Sequence, residues 1–358
     1  MTIKISKKSR ISVTQQMRSQ ILAHMNANAL KENDRLPSER EIARMTGVNV
    51  NTVGKVYRQL VDEGYLSRDV GRGTFVTSGL TKGKFLILVY QRHLQPGALF
   101  NRQLFDSTED ILREKGYAIE IIEVPYRNDA WLDSNRALYN RLAGGVYAGV
   151  FTGGIALTAL YSDMLRECRI PVLSVGYPPV NGCNDFFYTD YEDLYRKACA
   201  LLRERQSRAP VFICGETEIV RDGKFLPADT ELLSLCSKAG VPYLPERHIR
   251  LPWSKMNESG FEEIRSFLAG REFDAVVCDN DIYSEITQLA LFALQIDMKE
   301  RIMVAHANRG LDRLIVVPVK KIYFDTRAFA ERLSARMTEL ADSYEGPQNV
   351  PVTIRFED

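Results

Sequence analysis

The sequence has little histidine and no paired cysteine. Its six cysteines, Cys168, Cys183, Cys199, Cys214, Cys236 and Cys278, stand at least fifteen residues apart with no CxxC pair. That spacing argues against a zinc ribbon and a disulfide framework, and predicts reduced thiols, several of them packed in the core. The four histidines, His24, His93, His248 and His306, form neither HxxxH nor HExxH, so no metal site is expected. GxSxG is missing, and the loops Gly71-Arg72-Gly73 and Thr152-Gly153-Gly154 are not GxGxxG or Walker-type phosphate cradles, which argues against nucleotide-dependent catalysis. The adjacent carboxylates Glu262 and Glu263 belong on a solvated helix surface. Neither an enzyme nor a cofactor is expected. No run approaches the ~18 apolar residues of a membrane span. The start MTIKISKKSR has no apolar stretch after its basic residues, so no secretory leader is expected and the reading is of a cytoplasmic protein.

What is present is ordinary globular composition: 358 residues, 45% hydrophobic and 26% charged, enough for two or three domains. The net charge of +1 hides an asymmetry, because residues 1–80 carry +6 and the remainder −5. A basic first quarter joined to a mildly acidic remainder suits a chain in which one domain meets a polyanion.

Val13, Met17, Ile21, Leu22 and Met25 fall on one face of a helix and predict one near 13–28. Ser38, followed three residues later by Glu41, is a capping box that opens a short helix to about Met45. Gly47 breaks it and Asn49 can cap the next helix, whose buried face is Val53, Val56, Tyr57 and Leu60 and whose outward face is Asn51, Thr52, Lys55 and Arg58. Ala43, four residues before Gly47, completes helix-turn-helix spacing. Residues 65–68 and 74–76 read as two strands joined by Asp69-Val70-Gly71-Arg72-Gly73, a hairpin with a glycine-bearing tip. Three helices and such a hairpin make a winged helix. Amide, hydroxyl and cationic groups on its third helix suit major-groove edges and phosphates, and Arg72 on a slim wing suits the minor groove.

The stretch LPSEREIARMTGVNVNTVGKVYRQLVDEGYLSRDVGRGTFV, residues 36–76, resembles the DNA-binding domain of the GntR family of bacterial transcription regulators. The resemblance implies DNA contacts from Arg40 of the PSER motif, from Asn49, Asn51, Thr52 and Lys55 of the third helix, and from Arg72 and Gly73 of the wing; Ser38, beside Arg40, and Arg58, outward on the third helix, are expected to join them. Many members carry arginines where this chain has Val50 and Gly54, so their operator is not transferred.

Beyond residues 77–84, short apolar runs at 85–90, 119–124, 146–151, 172–175, 211–214, 275–278 and 302–305 alternate with helical patterns at 101–115, 194–204, 228–239, 258–268, 282–294 and 326–341. Continuous apolar strands alternating with helices specify parallel sheets covered on both faces. About 270 residues suit two lobes with a cleft between them. Phe85-Leu86-Ile87-Leu88-Val89, then Arg169-Ile170-Pro171-Val172-Leu173, Tyr188-Thr189-Asp190 and Asp274-Ala275 with Asn280-Asp281 follow in order the motifs of the LacI-type regulatory domain, itself similar to periplasmic sugar-binding proteins. The fold expected is therefore α/β: an N-terminal winged helix-turn-helix (α+β), then a two-lobed, doubly wound parallel-sheet domain like the periplasmic binding proteins. The expected boundaries are 1–77 for the winged helix, 78–84 for a linker and 85–358 for the effector domain. Within it, lobe 1 takes 85–187 plus 305–325, and lobe 2 takes 188–304 plus 326–358.

Strand C-termini face the cleft in such domains, which selects Arg92, His93, Phe100, Thr152 and Tyr177 in the first lobe and Glu216, Arg221, Trp253, Asn280 and Asn308 in the second. Aromatics, amides, carboxylates and arginine suit a sugar or other polyol. The alternatives stay open: Trp253 packing an interlobe loop, Phe100 as helix core, and Asn280 capping the helix that begins at Asp281. Gly176-Tyr177 and Ala307-Asn308 stand where many LacI-type domains carry charge, which leaves purine-like and phosphorylated effectors open. The hinge helix of LacI proteins is missing, since residues 78–83 are short and glycine-containing. The expected function is a DNA-binding regulator of repressor type. It would act as a homodimer on double-stranded operator DNA, be controlled by a small sugar-like molecule and have no membrane partner. The alternative is a solute-binding module whose winged helix is a protein adaptor; salt-dependent DNA binding separates the two.

Overall fold

The computed structural model describes every residue except 1, 2, 7, 10, 28, 29, 31, 70, 78–82, 92–98, 126–129, 156, 177–181, 222, 223, 312–314 and 358. It divides into two compact units, Met1–Phe187 with Ala330–Val352, and Tyr188–Phe329 with Thr353–Asp358.

The first unit opens with α1 (Val13–Ala27), α2 (Glu39–Thr46), α3 (Val50–Asp62) and the antiparallel pair β1 (Leu66–Asp69) and β2 (Gly73–Val76). Met17, Ile21, Leu22, Ile42, Val53, Val56, Tyr57 and Leu60 close one core beneath them, as their helical spacing requires. The chain continues through β3 (Lys84–Tyr90), α4 (Leu99–Glu114), β4 (Ala118–Val124), α5 (Ala130–Ser134), α6 (Arg136–Ala143), β5 (Gly149–Gly153), α7 (Ala159–Glu167), β6 (Val172–Val175) and β7 (Asp185–Thr189). β3 is parallel to β4 and β5, β5 to β6 and β6 to β7. All of β5 and β6 is buried, which explains runs of apolar residues without alternation.

The second unit contains α8 (Tyr191–Glu204), β8 (Pro210–Cys214), the hairpin β9 (Glu218–Arg221) and β10 (Lys224–Pro227), α9 (Leu232–Ala239), β11 (His248–Arg250), α10 (Glu258–Leu268), β12 (Ala275–Cys278), α11 (Asp281–Ala293), β13 (Ile302–Asn308) and β14 (Val319–Phe324). α12 (Thr326–Asp342) and β15 (Val350–Ile354) end the chain. The sheet orders are β15-β7-β6-β5-β3-β4 and β11-β8-β12-β13-β14.

This order corrects the expected lobe boundaries. Residues 305–325 were expected in the first lobe, but β13 pairs in parallel with β12 through Val276↔Met303 and Val277↔Val304, and β14 pairs with β13. Conversely, 330–352 belongs to the first unit. Arg336 of α12 donates through Nε to Asp185 Oδ2 of β7 at 2.5 Å, a pairing in which Asp185 is almost fully buried. All six cysteines are buried free thiols, and no described helix is long and apolar enough to cross a membrane.

Candidate nucleic-acid interface and effector site

Local chemistry sets the entry to α2. Ser38 Oγ accepts from Glu41 N at 3.3 Å while the Glu41 carboxylate accepts from Ser38 N at 2.7 Å, closing the capping box. Hydrogen bonds from the Ser38 hydroxyl and backbone hold the Glu41 carboxyl below its usual range. The expected contact Ser38 is thus engaged in the cap, and Arg40, exposed one residue into α2, projects a cation from the same turn. Gly47 ends α2 at φ +66°, a left-handed position that glycine takes without a Cβ penalty. Asn49 then caps α3, its Oδ1 accepting from Asn51 N at 2.8 Å. Tyr57, buried in α3, donates its hydroxyl to the Pro37 carbonyl at 2.5 Å and fixes the start of α2 against α3.

Asn51, Lys55 and Arg58 are exposed and Thr52 is half-buried, so the expected reading groups share the solvent side of α3. Gly54 lies among them but is buried. A Cβ there would sit 3.0 Å from Glu39 Oε2, and Glu39 is ion-paired with Arg68 of β1. The missing side chain leaves the niche in which this carboxylate lies, so an arginine at 54 would have to displace it.

The wing pairs Leu66↔Val76 through Asp69↔Gly73. Arg72, its side chain 77% exposed, donates to Asp69 Oδ2 at 2.9 Å. Such a surface pair contributes ~1 kcal/mol at most and can be exchanged for nucleic acid. Arg35 was missed by the sequence reading. It bridges Phe75 of β2, and its Nε lies 2.9 Å from where a Gly73 Cβ would be, so an exposed cation flanks the tip end of the wing. The available signal was a cation directly before the LPSER stretch.

The expected effector residues are less uniformly placed. Arg92, His93 and Tyr177 lie outside the described residues. Phe100 is half-buried in the first turn of α4, and Glu216 is exposed after β8. Arg221 closes β9 and Trp253 opens a 3-10 turn. Thr152 is fully buried in β5, its hydroxyl without a hydrogen-bond partner among the described residues. Asn280 caps α11, with Oδ1 accepting from Ile282 N at 2.9 Å and Tyr283 N at 3.3 Å, so the capping alternative is the one observed. Asn308 ends β13, donating to Asp281 Oδ2 at 3.1 Å, with His306 Nε2 3.1 Å from its Oδ1. Asp281, Ser284, His306 and Asn308, together with Leu311 and Ile315, line a small, open cleft of mixed polar and apolar character beside α11.

Sequence reasoning also passed over Asp279. Fully buried, it accepts from Gly215 N, Thr217 Oγ1 and the Tyr195 hydroxyl, each at 2.8 Å. Burial raises its carboxyl to about 6, against three donors that favour the charged form. It pins the turn after β8 that carries Glu216.

Residues 13–76 match the family model described as bacterial regulatory proteins, gntR family. The HTH-type transcriptional repressor NagR of Bacillus subtilis (strain 168) is 37% identical over 116 residues, 30% of this chain and 47% of that protein. The chain therefore spans about half the length of that relative. The HTH-type transcriptional repressor YtrA of the same organism is 32% identical over 93 residues, 25% of this chain and 72% of that protein. Among solved structures, a LacI family transcriptional regulator from Arthrobacter sp. FB24 in complex with lactose superposes with TM-score 0.60 at 12% identity, over 77% of this chain and 97% of that one. The Escherichia coli transcriptional repressor ascG gives 0.56 at 13% identity, over 77% and 96%. The second pair shows a shared fold, with two parallel sheets following the winged helix. The chain belongs to the GntR family of bacterial regulatory proteins.

Proposed function

We propose that the protein is a DNA-binding transcription regulator of repressor type, acting as two copies on a pseudo-palindromic operator and controlled by a small sugar-like molecule held by the C-terminal domain. The observation that carries the DNA reading is the joint exposure of Asn51, Lys55 and Arg58 on α3 with Arg72 on the wing. These groups meet base edges and phosphates when α3 enters a major groove. Arg40, Asn49, Thr52 and Gly73 complete the proposed contact surface, and the relatives named as repressors support the direction of control.

The lactose complex of the Arthrobacter regulator supports a hydroxyl-rich effector, and Asp281, His306 and Asn308 in the second-unit cleft offer groups that bond hydroxyls. A bound molecule shifts DNA affinity only by its differential affinity for DNA-competent and DNA-incompetent arrangements. Two copies follow from the twofold symmetry of such operators. The outward face of α11 supports this, with Leu289 38% and Phe292 68% exposed one helical turn apart.

The test uses the full chain and a palindrome selected from random duplexes. Lys55→Ala and Arg72→Ala are expected to weaken binding while leaving thermal stabilisation by a panel of sugars and sugar phosphates unchanged. Loss of the sugar response in those variants would refute the division of labour.

A further inference from the structure

α1 is covered on two sides. Met17, Ile21, Leu22 and Met25 belong to the winged-helix core, yet Arg18 and Ser19 are only 3% and 4% exposed. At about 100° per residue they lie around the helix from that core face, where an amphipathic helix meets water. What covers them is the first lobe, in the same compact unit.

Ser19 Oγ donates to the Cys168 carbonyl, the C-cap of α7, at 3.1 Å in a buried bond. Gly145, in the loop between α6 and β5 at φ +71°, comes so close that a Cβ there would sit 2.7 Å from Ser19 Cα. The two backbones touch, and any side chain at 145 would part them. The Ser9 hydroxyl reaches the Glu167 carboxylate at the end of α7. On the winged-helix side Arg18 is ion-paired with Glu63 and lies 5.9 Å over the Tyr65 ring. Tyr65 in turn lines a shallow cleft with Tyr147, Cys168 and Arg169. The chain on either side of 78–82 is also anchored: Thr77 N donates to the Tyr65 carbonyl at 3.3 Å, and Lys84 Nζ to Glu120 Oε2 at 2.8 Å. Glu120 accepts from Arg141 and Tyr147 as well.

From this geometry we infer that the first lobe carries a docking surface for its own winged helix, the Gly145 loop and the Cys168 end of α7 seated on Ser19 of α1, so that the reading head moves with that lobe as one body. The inference rests on the DNA-binding reading and adds how the head is held. Movement of the first lobe then repositions α3 and the wing directly. In a two-copy complex the docked heads have a fixed separation. Inserting about 5 bp between half-sites, half a helical turn, turns one half-site to the far face of the duplex.

The test compares the full chain with Gly145→Val and, from the other side of the contact, Ser19→Leu. A thiol reagent of the dithiobis-nitrobenzoate type reads docking without DNA, because all six cysteines are buried and Cys168 lies in the contact. Both variants are expected to label at Cys168 at least about tenfold faster than the parent, since losing the contact opens the site, with the labelled peptide identified by mass spectrometry. On a palindrome selected with the parent chain, the parent is expected to lose at least about tenfold in affinity when 5 bp are inserted, while the variants bind both spacings within about threefold. Equal labelling of Cys168 in parent and variants, or a parent indifferent to the insertion, would overturn the docking. Failure to select any DNA sinks the DNA-binding reading instead, and the labelling result still decides the docking.

Discussion

Asp279 shows how one side chain sets a measurable property. Folded, it titrates near 6, above its ordinary value of 3.8, so the protonated form is the one the fold favours. Its stabilising contribution is complete below about pH 4 and is lost as pH rises through 6, about 3 kcal/mol for two units of difference. Asp279→Asn keeps the shape without the charge, so urea unfolding from pH 4 to pH 7 is expected to show the variant gaining on the parent as pH rises. A difference that stays constant would mean that this carboxyl does not titrate in the range. The residue stands in the Asp279-Asn280-Asp281 string, from which the sequence reading took Asn280 and Asp281 but gave Asp279 no role, because burial and three donors from distant elements leave no local signature. The same limit explains Asn308, whose amide is engaged by Asp281 and His306. Gly54 is a related case, since its niche is filled by Glu39 from another helix.

At the scale of elements, what is local was legible. The capping box of α2, the cap of α3 and the buried faces of α1 and α3 follow from spacings of three and four residues, and the observed elements lie within a few residues of the expected ones. Continuous apolar runs made most strands legible, the edge strand β4 among them, but not β7, which lies between β15 and β6. The edges β14 and β15 were not legible either: β14 is only partly buried and holds Lys320 and Lys321, and β15 is exposed over its first residues. Pairing partners are long-range, so an apolar strand such as β13 fits either sheet on composition alone, and 305–325 was placed in the wrong lobe. Ser38→Ala tests the cap. Losing that acceptor is expected to lower stability by about 1 kcal/mol, seen as a drop in thermal midpoint that Ser38→Thr largely restores. An unchanged midpoint would show that the cap contributes nothing to the cooperative unit.

At the scale of the whole molecule the account needs two reading heads. An exposed Phe292 beside Leu289 on α11 is a liability in a lone chain and a contact in a pair. Phe292→Glu is expected to move the protein from dimer to monomer in sedimentation velocity and to weaken binding to a full palindrome more than to a half-site. An unchanged dimer would place the interface elsewhere. The measurement closest to the central claim is the salt dependence of DNA binding by the full chain, followed by fluorescence anisotropy on a selected palindrome. The account predicts a steep linear fall of log K with log salt, as bound phosphates release counterions. Lys55→Ala and Arg72→Ala are each predicted to weaken binding and reduce the slope by about one. Binding that is absent, or indifferent to salt and to both substitutions, would contradict it.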